Sequence, residues 1–278
     1  MLELFQIPFM QKALLVSVVT GGFFSFLGVY IVLRRIVFVG IALSQIAACG
    51  FAFGFLLGFN PIFYSVVFTI IGVTLFSFHS AKSKISRESF IGLTYTVAAS
   101  IAILFISKTA QGKANILDIL SGNILTVTDQ QVNFIAIVFF MAAILHYLFY
   151  KQFIFLSFDT ETAKTCGLKT NWWNFLFYLV LGVTISVSIR IAGVLLSFGY
   201  LVIPAISALI LTQNIKRVFF VAIICGLTAT FLGLYISFEL DLPSGPSIIT
   251  ILWIIFTLAV LTTKALKHFA FKLKIVKA

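Results

Sequence analysis

A chain of 278 residues that is 61% hydrophobic and only 10% charged is too apolar for a water-exposed globule, in which about 25% of residues are charged. Its net charge of +11 comes from 19 basic and 8 acidic residues. No sustained period-2 alternation runs through it, which excludes an outer-membrane barrel and leaves an all-α, polytopic helical membrane protein with one transmembrane domain over 1–278.

A helix needs about 20 apolar residues to cross the hydrocarbon. Charges and turn residues divide the chain into nine such runs, at 13–33, 38–57, 61–78, 89–107, 132–150, 172–190, 191–212, 218–238 and 246–263. The first lacks a basic leader before it and a small-residue cleavage site after it, so it reads as a retained span. The stretch from Trp172 to Leu211 is too long for one crossing and divides near Arg190.

Basic residues set the orientation. With Arg34 and Arg35 in the cytoplasm, alternation also places Lys82, Lys84, Arg87, Lys151, Lys164, Lys169, Lys216, Arg217 and the basic tail over 264–278 inside. That is 15 of the 19 basic residues, and only Lys12, Lys108, Lys113 and Arg190 fall outside. The N-terminus is then outside and the C-terminus cytoplasmic. The positive charge is a topology signal and requires no nucleic-acid partner.

The same arrangement puts every acid outside the hydrocarbon. Coupled transporters and intramembrane enzymes carry ionisable groups at membrane depth. Here only His146 comes near it, one turn from a cytoplasmic end. Uphill movement of a substrate would draw its energy from another subunit. Cys49, Cys166 and Cys225 lie far apart without metal-binding spacing and read as incidental thiols.

In chain order, the second run is dense in small residues and carries Ser44 and Gln45 as its strongly polar side chains. They serve either an interhelical hydrogen bond or the lining of a passage. Asn60-Pro61 marks a turn, His79 an interfacial polar residue, and 116–125 a short interfacial amphipathic helix. Residues 157–167 form a polar island with Asp159 and Glu161 early, Lys164 late and Gly167 as a stop. The order predicts a capped helix of two to three turns that docks a soluble motor. Arg190 snorkels to the outer interface. Pro204 inside its run kinks the helix or lines a gate. Glu239 and Asp241 face the outer water, as solvated loop acids or as rim charges meeting a partner. Ser244 is the expected N-cap of the last helix, with Pro246 in its first turn.

The order of motifs resembles the permeases of ATP-binding-cassette importers for zinc, manganese and iron. It rests on Pro8-Phe9-Met10, Val32-Leu33-Arg34-Arg35, Phe38-Val39-Gly40 with Ser44, and Phe158-Asp159 with Glu161, Ala163 and Gly167. Gly193 to Leu196, Val202 to Ala205 and Asp241 to Pro246 complete it. The resemblance implies a homodimer working with two ATPase subunits, which hold ATP and Mg, and with an external metal-binding protein. It implies no cofactor in this chain, residence in the plasma (inner) membrane of a prokaryote, and import by ATP-driven alternating access. It makes 157–169 the coupling helix, with Phe158, Asp159, Glu161, Ala163 and Gly167 at the motor. It also makes Ser44, Gln45 and Pro204 pathway residues. Zinc is the first expected cargo, then manganese or iron. A metal chelate or cofactor is the alternative, and an intramembrane enzyme or scaffold a remote one. The chain departs from the family where members commonly read Gly-Asp-x-Leu-Ser-His: it has Ile41, which cannot ligate, and Gln45, an amide oxygen poor for zinc. It carries no Gly-x-x-x-x-Gly-Lys loop of its own for ATP.

Overall fold

The computed structural model describes residues 8–78, 85–109, 122, 127–158 and 160–276, with side chains through Ala265. Asp159, His79, Lys82, Lys84, the expected helix at 116–125 and the side chains of the tail beyond Ala265 lie outside the described residues. Within them the chain is helical throughout, with no strand. The helices are α1 (Pro8–Leu33), α2 (Val37–Leu57), α3 (Pro61–Ser77), α4 (Arg87–Ser107), α5 (Asp129–Leu148), α6 (Tyr150–Phe158), α7 (Thr160–Thr165), α8 (Thr170–Leu211), α9 (Ile215–Glu239) and α10 (Ser244–Val276).

Seven of these are long and apolar enough to cross a membrane. Helix α3 is apolar but has 17 residues, about 26 Å of rise against a hydrocarbon core of about 30 Å. Its start is fixed locally: Asn60 Oδ1 accepts from Ile62 N at 3.0 Å, and Pro61 occupies the first helical position. Helix α4 starts likewise, with Ser86 Oγ accepting from Ser89 N at 3.1 Å. At α5, Gln131 Oε1 accepts from Thr128 N at 3.1 Å, one arm of a capping box. The last helix begins at Ser244 itself, one residue earlier than an N-cap at Ser244 would put it.

Helix α8 is 42 residues long and is broken at Gly193, where φ is 73° and ψ 171°. Its two halves run in opposite directions. Asn174 and Phe177 stand against Arg34, just past the end of α1. Ala205 and Ala208 pack with Val29, also in the last turns of α1. A straight helix would set residues 177 and 205 about 42 Å apart, so the chain folds back at Gly193. The turn comes three residues after Arg190, at the residue whose missing side chain permits positive φ. Arg190 is exposed beside it.

Helices α1, α2 and α8 form the centre, and α4, α5 and α10 expose most of their apolar surface. The small residues of α2 bring α3 close, and Ser65 Oγ donates across the pair to the Ala47 carbonyl at 2.8 Å. Ser186 Oγ donates to Thr69 Oγ1 at 2.7 Å and ties α8 to α3. Between α1 and α8, a Cβ built on Gly28 would stand 2.0 Å from the Leu201 carbonyl oxygen. Only glycine admits backbones that near.

The helix ends sort into two sets. Lys12 Nζ lies 2.7 Å from Asp129 Oδ1, and Phe9 meets Phe238 at 6.4 Å between ring centres. These contacts put the starts of α1 and α5 and the end of α9 at one end of the bundle. At the opposite end lie Arg34, Arg35, Arg87, Lys151, Lys164, Lys169, Lys216, Arg217 and Lys264, against Lys12, Lys108 and Arg190 at the first.

Candidate functional site

The basic end is organised around Arg34. Its Nε donates to Ser157 Oγ at 2.8 Å, one terminal nitrogen to the Phe153 carbonyl at 2.9 Å and the other to Asn174 Oδ1 at 3.2 Å. The guanidinium also lies 4.3 Å from the centre of the Phe177 ring. One side chain thus fastens α6 to α1 and to the first turns of α8. No carboxylate among the described residues pairs with it. Burial pulls the Arg34 pKa down to about 10, and the neighbouring Arg87 cation adds to the drop. It remains a cation at neutral pH. Arg87 donates to the Tyr178 hydroxyl oxygen at 2.6 Å.

The polar island divides. Ser157 and Phe158 complete α6 and do not open the island helix. Ser157 Oγ donates back to the Phe153 carbonyl at 2.6 Å, and Phe158 is exposed. The island helix proper, α7, has six residues, shorter than the two to three turns expected. It ends as expected at Gly167, whose φ is 83°. Leu168 N donates to the Ala163 carbonyl at 3.1 Å and Gly167 N to the Lys164 carbonyl at 3.0 Å. This pair of bonds is the Schellman arrangement, and it satisfies carbonyls that a helix end leaves open. Ala163 is fully buried against its own chain, and Glu161 is exposed. The face that α7 offers outward is therefore that of Glu161 and Lys164, and Ala163 seats the helix. Gly167→Ala forces a Cβ into the left-handed region and is expected to cost about 1–2 kcal/mol locally. Faster amide exchange over 160–168 with an unchanged exchange rate in α2 would show it.

The expected pathway residues lie in the core. Ser44 is fully buried and donates within its own helix to the Gly40 carbonyl at 2.9 Å, with no partner on a neighbouring helix among the described residues. Gln45 beside it is 8% exposed, and Pro204 is buried in the second half of α8. The two helices touch where a Cβ on Gly40 would meet Leu201 at 3.5 Å. They run in opposite directions, so Ser44 and Pro204 lie to either side of that contact. His146, fully buried, is enclosed by Phe26, Tyr30 and Phe153 with ring centres 4.7–5.0 Å away, and neither of its nitrogens has a partner among the described residues. No group of three or more His, Cys, Asp or Glu side chains converges among them.

At the other end, Glu239, the last residue of α9, and Asp241, in the turn into α10, are both exposed. Asp241 adopts φ 50°, and the turn is closed by Leu242 N donating to the Ser237 carbonyl at 2.9 Å. Two features had no local signal in the sequence: the Arg34 cradle, whose partners lie 119 to 140 residues away, and Gly28.

The sequence profile of the ABC 3 transport family matches residues 6–263. The manganese transport system membrane protein MntC of Listeria monocytogenes is 30% identical over 258 residues, 93% of this chain and 92% of its own. The Haemophilus influenzae protein named "Probable iron transport system membrane protein" is 28% identical over 261 residues, 94% of this chain and 92% of its own. Among solved structures, PsaBC from Streptococcus pneumoniae in complex with Fab superposes with a TM-score of 0.83 at 27% identity, over 93% of each chain. The chain therefore belongs to the ABC 3 transport family, among the membrane permeases of metal importers of the ATP-binding-cassette type.

Proposed function

We propose that this permease imports a divalent transition metal, with manganese ahead of iron and zinc. The sequence alone put zinc first. The observation that carries the change is Gln45, buried in α2 at the position where relatives commonly hold histidine. An amide oxygen is a hard donor of the kind that suits manganese, whereas zinc favours imidazole and thiolate. The relatives named for manganese and iron support the same order. With Ile41 contributing no donor, the metal crosses holding most of its water. A chelated metal, which brings its own ligands, is the second reading on the same observation.

In this reading the chain crosses the plasma membrane nine times, counting α3 once and α8 twice, with its N-terminus outside. Two copies work with two ATPase subunits that hold ATP and Mg and dock on α7, and with an external binding protein received at the end carrying Glu239 and Asp241. Closure of the motors drives alternating access.

Uptake of manganese, iron, zinc and a chelate should be compared in cells that depend on this transporter. Manganese is expected to accumulate fastest. Gln45→His is expected to shift the manganese-to-zinc ratio toward zinc by about tenfold, the worth of one improved ligand at about 1.4 kcal/mol. An unchanged ratio would remove Gln45 from the pathway, and zinc uptake exceeding manganese in the unaltered protein would overturn the order of cargo.

A further inference from the structure

Helices α5 and α9 both pack beside α1 and barely meet each other, which leaves a crevice of about 490 Å³ between them. Its floor is one stripe of α1 through Val18, Gly22 and Phe26. Phe140 and Ala143 of α5 stand on one side and Leu227 of α9 on the other. Every lining residue is apolar, and the small ones, Gly22 and Ala143, make the space. Each lies at least five residues from the nearer end of its helix, so the crevice opens at mid-depth in the hydrocarbon. Its inner end is closed by Phe26, whose ring centre lies 5.1 Å from that of Phe219 on α9 and 5.0 Å from that of His146 on α5. The mouth is open: the floor residues are half-buried, although α1 is a central helix, and Phe140 is 67% exposed.

We infer that this crevice is a binding site for an acyl chain of a bilayer phospholipid, which lies against α1 between α5 and α9. An apolar cavity stays dry, and at this depth the surrounding solvent is hydrocarbon. Width decides between a lipid chain and a second protein. Val18 and Phe26 stand about 12 Å apart along α1, so the volume leaves a cross-section of about 40 Å². A helix about 10–12 Å across needs roughly 80 Å² or more. A helix of a second copy would therefore span the mouth without entering. A flexible chain can enter and supply the dispersion contacts that the walls otherwise lack. With apolar groups alone lining it, the site selects the chain and is indifferent to the headgroup. It depends on the membrane-spanning fold and is independent of the metal carried and of the motor.

The test places the full chain in bilayer nanodiscs, with Trp172, Trp173 and Trp253 replaced by phenylalanine and one tryptophan reporter introduced. Phe23→Trp reads the floor, Phe140→Trp the mouth, and Phe24→Trp the fully buried side of the same helix. The probe is phosphatidylcholine brominated in its acyl chains, which quenches tryptophan on contact. Phe23→Trp is expected to be quenched as strongly as Phe140→Trp, and Phe24→Trp to keep its fluorescence. Phosphatidylglycerol with the same brominated chains should quench equally. Ala143→Phe, at an exposed position of α5, fills the mouth and should abolish the quenching of Phe23→Trp while Phe140→Trp stays quenched. Val18→Trp reads the same floor if Phe23→Trp fails to fold. A floor reporter as bright as Phe24→Trp would overturn the site, and so would quenching that Ala143→Phe leaves unchanged. Shielding of Phe140→Trp together with the floor reporter would assign the crevice to a second copy instead. Unequal quenching by the two chain-matched lipids would overturn recognition by the chain alone.

Discussion

Arg34→Gln is expected to unfasten α6 and α7 from the bundle and, if the ATPase docks on α7 as proposed, to uncouple ATP hydrolysis from transport while α7 itself stays intact. The side chain makes three hydrogen bonds and one cation–π contact, all to groups that stay behind. Hydrogen bonds of a charged donor are worth about 1.5–3 kcal/mol each. Glutamine can replace one of them and also relieves the charge burial, which leaves a net loss of roughly 3 kcal/mol. For a chain of this size that is a fall of about 6–12 °C in unfolding temperature. Amide exchange should quicken over 150–158, with α2 and α3 unchanged. In the assembled complex, ATPase activity should persist with little metal moved. A variant that transports normally at the unaltered unfolding temperature would show that the cradle carries no load. Arg34→Lys should recover part of the stability and little of the bidentate geometry.

The contrast between that residue and the helices shows how the sequence could be read. Apolar runs of membrane length place most helix ends within three residues, because the bilayer imposes one length on every span. Val37–Leu57 and Pro61–Ser77 match the expected 38–57 and 61–78 almost to the residue. The stop at Gly167 was legible for a similar reason, since the cap is built from six consecutive residues. Arg34 was legible only as a charge. The two adjacent arginines fix a side of the membrane by composition, whereas their partners Ser157 and Asn174 are ordinary polar residues that only the tertiary fold brings near. The same limit explains Ser157 and Phe158, which composition groups with the polar island although the helix they belong to is the preceding one. Ala163, which the family resemblance puts at the motor, is buried against its own chain.

Gly28→Ala, the smallest possible enlargement, is expected to be among the most damaging substitutions in the molecule. The added carbon would lie 2.0 Å from the Leu201 carbonyl oxygen, a backbone atom that no rotamer can move. Separating α1 from α8 to make room also strains the Tyr200 hydroxyl contact with Thr230 on α9 at 2.5 Å. Overpacking usually costs about 1–3 kcal/mol, and a backbone clash between two central helices belongs at or above the top of that range. Little folded protein should reach the membrane, and what does should unfold at least about 6 °C lower. Gly92→Ala is the matched control. A Cβ there meets nothing within 4 Å, so the change should be neutral or stabilising by about 0.5–1 kcal/mol. Equal behaviour of the two variants would mean that the close α1–α8 approach is not required.

Gly28 lies on α1 six residues before Arg34, which stands just past that helix's end, about 9 Å along its axis. Together they define a mechanical path. If a motor docks on α7 as proposed, a force passed on to α6 would reach the Arg34 guanidinium and be shared at once by α1 and the first half of α8. One and a half turns further, the Gly28–Leu201 contact hands it to the second half of α8, without a flexible side chain in between to absorb displacement. Compliance is thus low along this route and is left to the fold-back at Gly193, at the far end of both halves. A stroke of an ångström or two at the basic end would then reach the opposite face as a rotation of the α8 hairpin about that point.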